Sequence, residues 1–188
     1  MNEQRYLLVV SGPSGCGKTT VVKELLAEYP DVQVAVSATT RPRREGEEDG
    51  IAYHFWPEER FVGQLGEDAF LEHTVYMGHH YGTLRSEVDA RLAQGISCVL
   101  EIEVEGAQNV KAEYPECTTV FLEAPSREVL EQRLRGRGSE DEEVVQRRLR
   151  RAEEELLLAA GYDYRLINHD SRETAREIYR ILQERQKA

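Results

Sequence analysis

Tyr6-Leu-Leu-Val-Val-Ser-Gly-Pro-Ser-Gly-Cys-Gly-Lys-Thr-Thr20 decides how this chain folds. The first five residues are a short apolar run that meets a glycine-rich turn at once, the pattern of a strand buried on both faces. Gly12 to Thr19 then satisfies GxxxxGK[ST]. Glycines at those positions let backbone N–H groups turn inward into a nest that surrounds phosphate oxygens. Lys18 adds a point charge, Thr19 offers a hydroxyl to Mg²⁺, and the following helix presents its positive end. Val21, Val22, Leu25 and Leu26 recur at helical spacing and predict that helix over Thr19–Glu28. Strand, loop and helix in this order predict a nucleoside-triphosphate site, without yet naming a reaction.

Beyond this unit, short apolar runs keep alternating with helical patterns. Strands are predicted at Val32–Val36, Cys98–Ile102, Thr119–Leu122 and Tyr164–Ile167, and helices at Leu84–Gln94, Gly106–Glu113, Ser126–Arg135, Glu140–Ala160 and Ser171–Gln186. Such alternation predicts an α/β fold whose parallel sheet is flanked by helices. Ser37 to about Thr83 interrupts it with turn residues and short β-like pieces such as Ala52–Trp56, and reads as an inserted lobe of mixed α and β. Arg127 to Arg151 holds eight of the 24 basic residues, all arginine, beside six acidic ones. Solvated ion pairs account for many of these, Arg135, Arg147, Arg150 and Arg151 among them.

A length of 188 residues suggests a single domain that buries enough surface to need no disulfide or metal staple. No apolar run exceeds five residues, which excludes a transmembrane helix or a secretory signal within the sequence. Cys16, Cys98 and Cys117 lack CxxC spacing, so a reducing cytoplasm is the expected setting. The net charge of −11 argues against a general nucleic-acid or membrane-surface binder, while permitting a local basic pocket.

Ser37-Ala-Thr-Thr-Arg41 opens the inserted lobe, followed by Arg44, Gly46, Glu47, Gly50 and Tyr53, then Phe70-Leu-Glu72 and Tyr81-Gly-Thr83. Later come Glu101-Ile-Glu-Val-Glu-Gly-Ala107, Arg133-Leu-Arg-Gly-Arg-Gly138, Arg148-Leu149 and Asn168. Several independent motifs in this order, spread over nearly the whole chain, resemble those of the guanylate kinases. The resemblance implies the P-loop nucleoside monophosphate kinase fold, with a core at 1–36, 84–126 and 158–188, a GMP-binding lobe at 37–83 and a helical lid at 127–157. It implies ATP-dependent, Mg²⁺-assisted phosphorylation of GMP or dGMP by a monomer or homodimer. ATP would be held by Gly12, Pro13, Ser14, Gly15, Cys16, Gly17, Lys18, Thr19, Thr20, Arg137 and Asn168. GMP would be held by Ser37, Arg41, Arg44, Glu47, Tyr53, Glu72, Tyr81, Gly82, Thr83 and Glu101. Lys18, Arg133, Arg137 and Arg148 would serve transfer, and Thr19 and Glu103 the metal, directly or through water.

The residue types suit that chemistry on their own account. Two guanidinium forks and two phenols, from Arg41, Arg44, Tyr53 and Tyr81, match a doubly charged phosphate. Guanine shows N1–H and its 2-amino group side by side as donors, and a carboxylate such as Glu72, with Glu101 as a second acceptor, can receive them. The Ser37 and Thr83 hydroxyls can donate to guanine O6.

Four departures from the family pattern stand out. Pro42 directly follows Arg41, so Arg43 competes with Arg44 for the phosphate. His79-His80 replaces an Asn-Tyr pair, and adjacent strand residues point apart, so the two do not share a metal. Glu103 stands where aspartate is usual, one methylene longer, and Glu105 where glutamine is common. Two alternatives remain at this point: a ribose bisphosphate kinase on the same scaffold, and a non-catalytic guanylate-kinase-like binding module.

Overall fold

The apolar run before the phosphate loop forms β1, Leu7–Ser11, with all five residues buried. Alternate side chains serve opposite faces of the sheet. Leu8 and Val10 pack with Val21, Val22 and Leu25 of α1 (Lys18–Glu28) and with Ala175, Ile178 and Leu182 of the last helix. Leu7 and Val9 pack on the other side with Val88, Ala107 and Val110. This two-sided burial is why the strand carries no polar alternation. The computed structural model describes residues 6–76, 78–136 and 142–185.

Along the chain follow β2 (Val32–Val34), β3 (Ala38–Thr39), β4 (His54–Phe55), α2 (Glu58–Gly66), β5 (Phe70–Tyr76) and β6 (His79–Leu84). Then come α3 (Arg85–Ala93), β7 (Ser97–Glu101), α4 (Val104–Glu113), β8 (Thr118–Glu123), α5 (Arg127–Arg135) and α6 (Glu142–Leu158). A short 3₁₀ turn (Ala159–Gly161), β9 (Tyr164–Ile167) and α7 (Ser171–Arg185) complete the described elements. The core sheet runs β2-β7-β1-β8-β9, and every pairing in it is parallel. Its C-terminal edge therefore gathers the phosphate loop after β1, Glu101 at the end of β7 and Asn168 just after β9. Ligands of such sheets collect at that edge.

The predicted core elements are all present, with boundaries moved by one or two residues. β2 stops at Val34, although Ala35 N–H still donates to Val99 O at 3.1 Å. α4 starts at Val104, two residues before the predicted Gly106. Ser126 caps α5 by accepting from Val129 N–H at 3.3 Å, so it stands just outside that helix. The predicted helix starting at Glu140 and the one ending at Gln186 have those termini outside the described residues.

Between β2 and α3 lies a separate four-stranded sheet, ordered β4-β3-β6-β5. β3 pairs parallel with β4 and antiparallel with β6, which pairs antiparallel with β5. Of the predicted β piece Ala52–Trp56 only His54–Phe55 is strand. This sheet has its own small core of Ala38, Phe61, Phe70 and Leu84, in which the Phe61 and Phe70 rings stack at 4.3 Å. α5 and α6 enclose another, from Leu130, Leu134, Val145, Leu149 and Ala152.

A core of four residues has little redundancy. Phe61→Ala is expected to destabilise the inserted sheet by about 3–5 kcal/mol. Hydrogen exchange should show faster amides in β3, β5 and β6 while β1 and β7 keep their protection. Uniform loss across both sheets would contradict a separate lobe core.

Candidate active site

The phosphate loop adopts a conformation only glycine tolerates cheaply. Gly12, Gly15 and Gly17 have φ of 139°, 92° and 101°. A Cβ on Gly17 would lie 2.4 Å from Asn168 Nδ2, and one on Gly12 2.2 Å from Leu122 O. Gly17 is the N-cap of α1, with no side-chain cap bond and no acidic residue in the first turn. The first N–H groups of that helix therefore have no side-chain cap of their own, as an anion-binding helix end requires.

Two side chains hold the loop from behind. Arg133 Nη1 donates to Cys16 O at 3.0 Å and Asn168 Nδ2 donates to the same oxygen at 2.8 Å. In a trans peptide the carbonyl and the next N–H point oppositely. Anchoring the Cys16 carbonyl therefore turns the Gly17 N–H to the other side. Arg133, expected as a clamp on the transferring group, makes this anchor and also donates to Asn168 O at 3.4 Å. Lys18 Nζ donates to Gly12 O and, at 3.4 Å, to Pro13 O, with Glu103 Oε1 4.0 Å away. Cys16 is fully buried, and burial pushes its thiol pKa up, so it is an inert part of the loop. Thr20 is exposed.

An open cleft of about 270 Å³ connects the loop to the inserted sheet. Ser14, Glu101, Glu103 and Arg148 line it at the loop end, and Ser37, Arg41, Arg44, Tyr53, Glu72, Tyr81 and Gly82 on the lobe side. Arg44 lines it and Arg43 does not. Thr74 also lines it and was missed by the sequence reading; its place two residues after Glu72 on β5 is the signal, since alternate strand residues share a face.

Three residues expected to touch the ligand have protein partners instead. Thr83 is fully buried, and its hydroxyl donates to Glu72 Oε1 at 2.7 Å. A hydroxyl has one proton, and here it is directed at Glu72, so Thr83 braces that carboxylate. Glu47 takes both arms of Arg41, at 3.0 and 2.8 Å, and the Arg44 N–H at 2.8 Å. The Arg41 guanidinium beside it holds the Glu47 carboxyl down at about 2. Glu101 Oε1 accepts from the Thr19 hydroxyl at 2.5 Å. The carboxylate at Thr19 is therefore Glu101, whereas Glu103 sits toward Lys18. His80 stacks on Phe61 at 5.2 Å, and among the described residues no three His, Cys, Asp or Glu side chains converge on a metal position. Arg137 lies outside the described residues.

A family model described as guanylate kinase matches residues 4–185. The chain belongs to the guanylate kinase family. It is 44% identical over 182 residues to the guanylate kinase of Prochlorococcus marinus subsp. pastoris, covering 97% of this chain and 99% of that one. It is 46% identical over 175 residues to that of Alkalilimnicola ehrlichii, covering 93% of this chain and 86% of that one. The crystal structure of guanylate kinase from Anaplasma phagocytophilum superposes with a TM-score of 0.80 at 30% identity, covering 99% of this chain and 88% of that one. The fold is thus the P-loop nucleoside monophosphate kinase fold that the motifs of this family implied.

Glu72 is only 7% exposed, and among the described residues its carboxylate has neutral donors as partners: the Thr83 hydroxyl and, at 3.1 Å, the Thr83 N–H. Burial raises its pKa, against the pull of those two bonds. The folded protein therefore binds more protons than the unfolded chain between the ordinary value of 4.5 and the raised one, and stability is lost as pH rises through that window. Glu72→Gln keeps an oxygen for Thr83 and removes the buried charge. It should raise Tm by about 2–4 °C at neutral pH, with the gain vanishing near about pH 4. A lower Tm for the variant in calorimetry would contradict this account of Glu72.

Proposed function

We propose that this protein transfers the γ-phosphoryl group of ATP to GMP or dGMP, yielding ADP and the nucleoside diphosphate. The observation that carries this reading is the single cleft running from Ser14 and Arg148 to a buried carboxylate, Glu72. A triphosphate seated on the loop and a monophosphate seated against Arg41, Arg44, Tyr53 and Tyr81 would meet in its middle. Nothing favours a sugar-phosphate substrate or a non-catalytic role.

Each end has a physical task. The Gly17 N–H, the open end of α1 and Lys18 receive the ATP phosphates. Arg133 and Asn168 keep the loop in its receiving shape. Arg41 and Arg44 take the GMP phosphate with the Tyr53 and Tyr81 phenols; Glu47 aims Arg41, and the Tyr53 and Tyr81 rings meet edge to face at 5.9 Å. Glu72 accepts from guanine N1–H and the 2-amino group, and Ser37 donates to O6. Adenine offers no such pair of donors, so it would leave the buried carboxylate unpaired.

The acceptor oxygen is already anionic at neutral pH, so no general base is needed. Catalysis is then a matter of alignment and charge, with Lys18 and Arg148 facing the transferring group. The Thr19 hydroxyl and the Glu101 carboxylate offer hard oxygens of the kind Mg²⁺ accepts while keeping several waters. These two residues would hold the ion, whose charge would offset that of the phosphates. Three free, buried thiols and the absence of any membrane-spanning helix among the described residues suit a cytoplasmic enzyme.

A coupled assay of ADP release with GMP, dGMP, AMP and a ribose bisphosphate tests the reading; turnover is expected with the guanine nucleotides alone. Glu72→Gln should cut the preference for GMP over AMP by about 100-fold or more while the KM for ATP stays within about twofold. An unchanged preference would remove Glu72 from base reading. Lys18→Ala should lower kcat by at least about 100-fold and leave GMP binding nearly intact in calorimetry. Equal loss of both would contradict the role given to Lys18.

A further inference from the structure

The buried face of α6 runs Val145, Leu149, Ala152 and then Glu155. Three apolar residues in a row set up a seam, and a fourth would continue it. Instead a carboxylate is buried, at 7% exposure, while the leucines that follow stay outside, Leu157 at 81%. Packing alone would favour the opposite arrangement, because an ionised carboxylate is costly to bury. The side chain is therefore placed for a reason other than stability.

Its surroundings supply one. Arg151 Nε donates to Glu155 Oε1 at 2.9 Å, one turn back on the same helix. Arg148, Arg151 and Glu155 are spaced i, i+3 and i+7 and share one face. Arg148 lines the cleft that holds the proposed transfer. The bond to Glu155 raises the Arg151 pKa, with the fields of Glu103 and Glu105 adding to it, and burial raises that of Glu155, with Glu103 adding and Lys18 opposing. Glu103 in turn lies 4.0 Å from Lys18. Charges thus alternate from the phosphate loop to the lid: Lys18, Glu103, Arg151, Glu155.

We propose that Glu155 is a positioning residue for phosphoryl transfer: by holding Arg151, it keeps this guanidinium from collapsing onto Glu103 and fixes the face of α6 that presents Arg148 to the cleft. This rests on the kinase reading above. Without the carboxylate, Arg151 pairs with Glu103 instead, Glu103 leaves Lys18, and α6 shifts over the loop. Misplacement of about 1 Å is enough to slow a reaction whose barrier is lowered by alignment.

The test is Glu155→Gln and Glu155→Met, alone and combined with Arg151→Ala, in the full chain with ATP, GMP and Mg²⁺. Both single variants should lower kcat by about 10- to 100-fold with KM values for both nucleotides within about threefold and Tm equal to or above that of the parent. In the Arg151→Ala background the same changes should have no further effect, because the action runs through Arg151. A parent-like kcat in either folded variant would overturn the proposal. So would a kcat loss that is as large without Arg151 as with it, or a fall in Tm with kcat per folded molecule unchanged. If the parent chain itself fails to phosphorylate GMP, the kinase reading falls first; an active parent with an indifferent Glu155 discards this inference alone.

Discussion

One peptide orientation underlies the donor half of the cleft. The Cys16 carbonyl is tied down by Arg133 from α5 and by Asn168 from the end of β9, so the Gly17 N–H must face away from both. The flanking glycines make that orientation possible, and Leu122 O and Asn168 leave no room for a side chain at Gly12 or Gly17. A helix end left without a cap then supplies the charge. Because the anchors come from α5 and from the end of the edge strand β9, the loop cannot relax without disturbing both. The site is pre-organised for phosphate by the packing that stabilises the core.

The acceptor half follows a different rule. There the fold accepts an unfavourable group, a buried carboxylate whose partners among the described residues are neutral donors, and in the proposed function a guanine base would complete its bonding. Thr83 on β6 holds the Glu72 carboxylate, and Gly106 leaves room beside it, since a Cβ there would lie 2.6 Å from Glu72 Oε2. In the proposed function specificity would come from a local cost that substrate removes, while Glu47 holds Arg41 at the cleft in a chain of net charge −11.

The core and the phosphate loop were legible because their signals are local. An apolar run, glycines at fixed offsets and a helical repeat lie side by side in sequence, and β1, α1 and the parallel strands appear within a residue or two of expectation. The cleft residues Ser37, Arg41, Arg44, Tyr53, Glu72 and Tyr81 were legible through motif order. What sequence could not show is which neighbour each polar group meets. Thr83 and Glu47 turned out to hold other site residues, Arg133 a loop carbonyl, and Glu101 rather than Glu103 the Thr19 hydroxyl. Those pairings join residues up to 117 positions apart, as Arg133 does with Cys16, and only the fold brings them together. Burial of Glu155 was hidden for the same reason: one turn of helix full of glutamates and leucines does not say which of them faces in.

The central claim is that two nucleotides occupy this cleft together, one on the phosphate loop and one against Glu72. Calorimetric titration of GMP into protein saturated with Mg²⁺ and a non-hydrolysable ATP analogue tests it most directly. The account predicts one GMP bound per chain with the analogue still in place. Competition, with GMP expelling the analogue or failing to bind until it leaves, would contradict it.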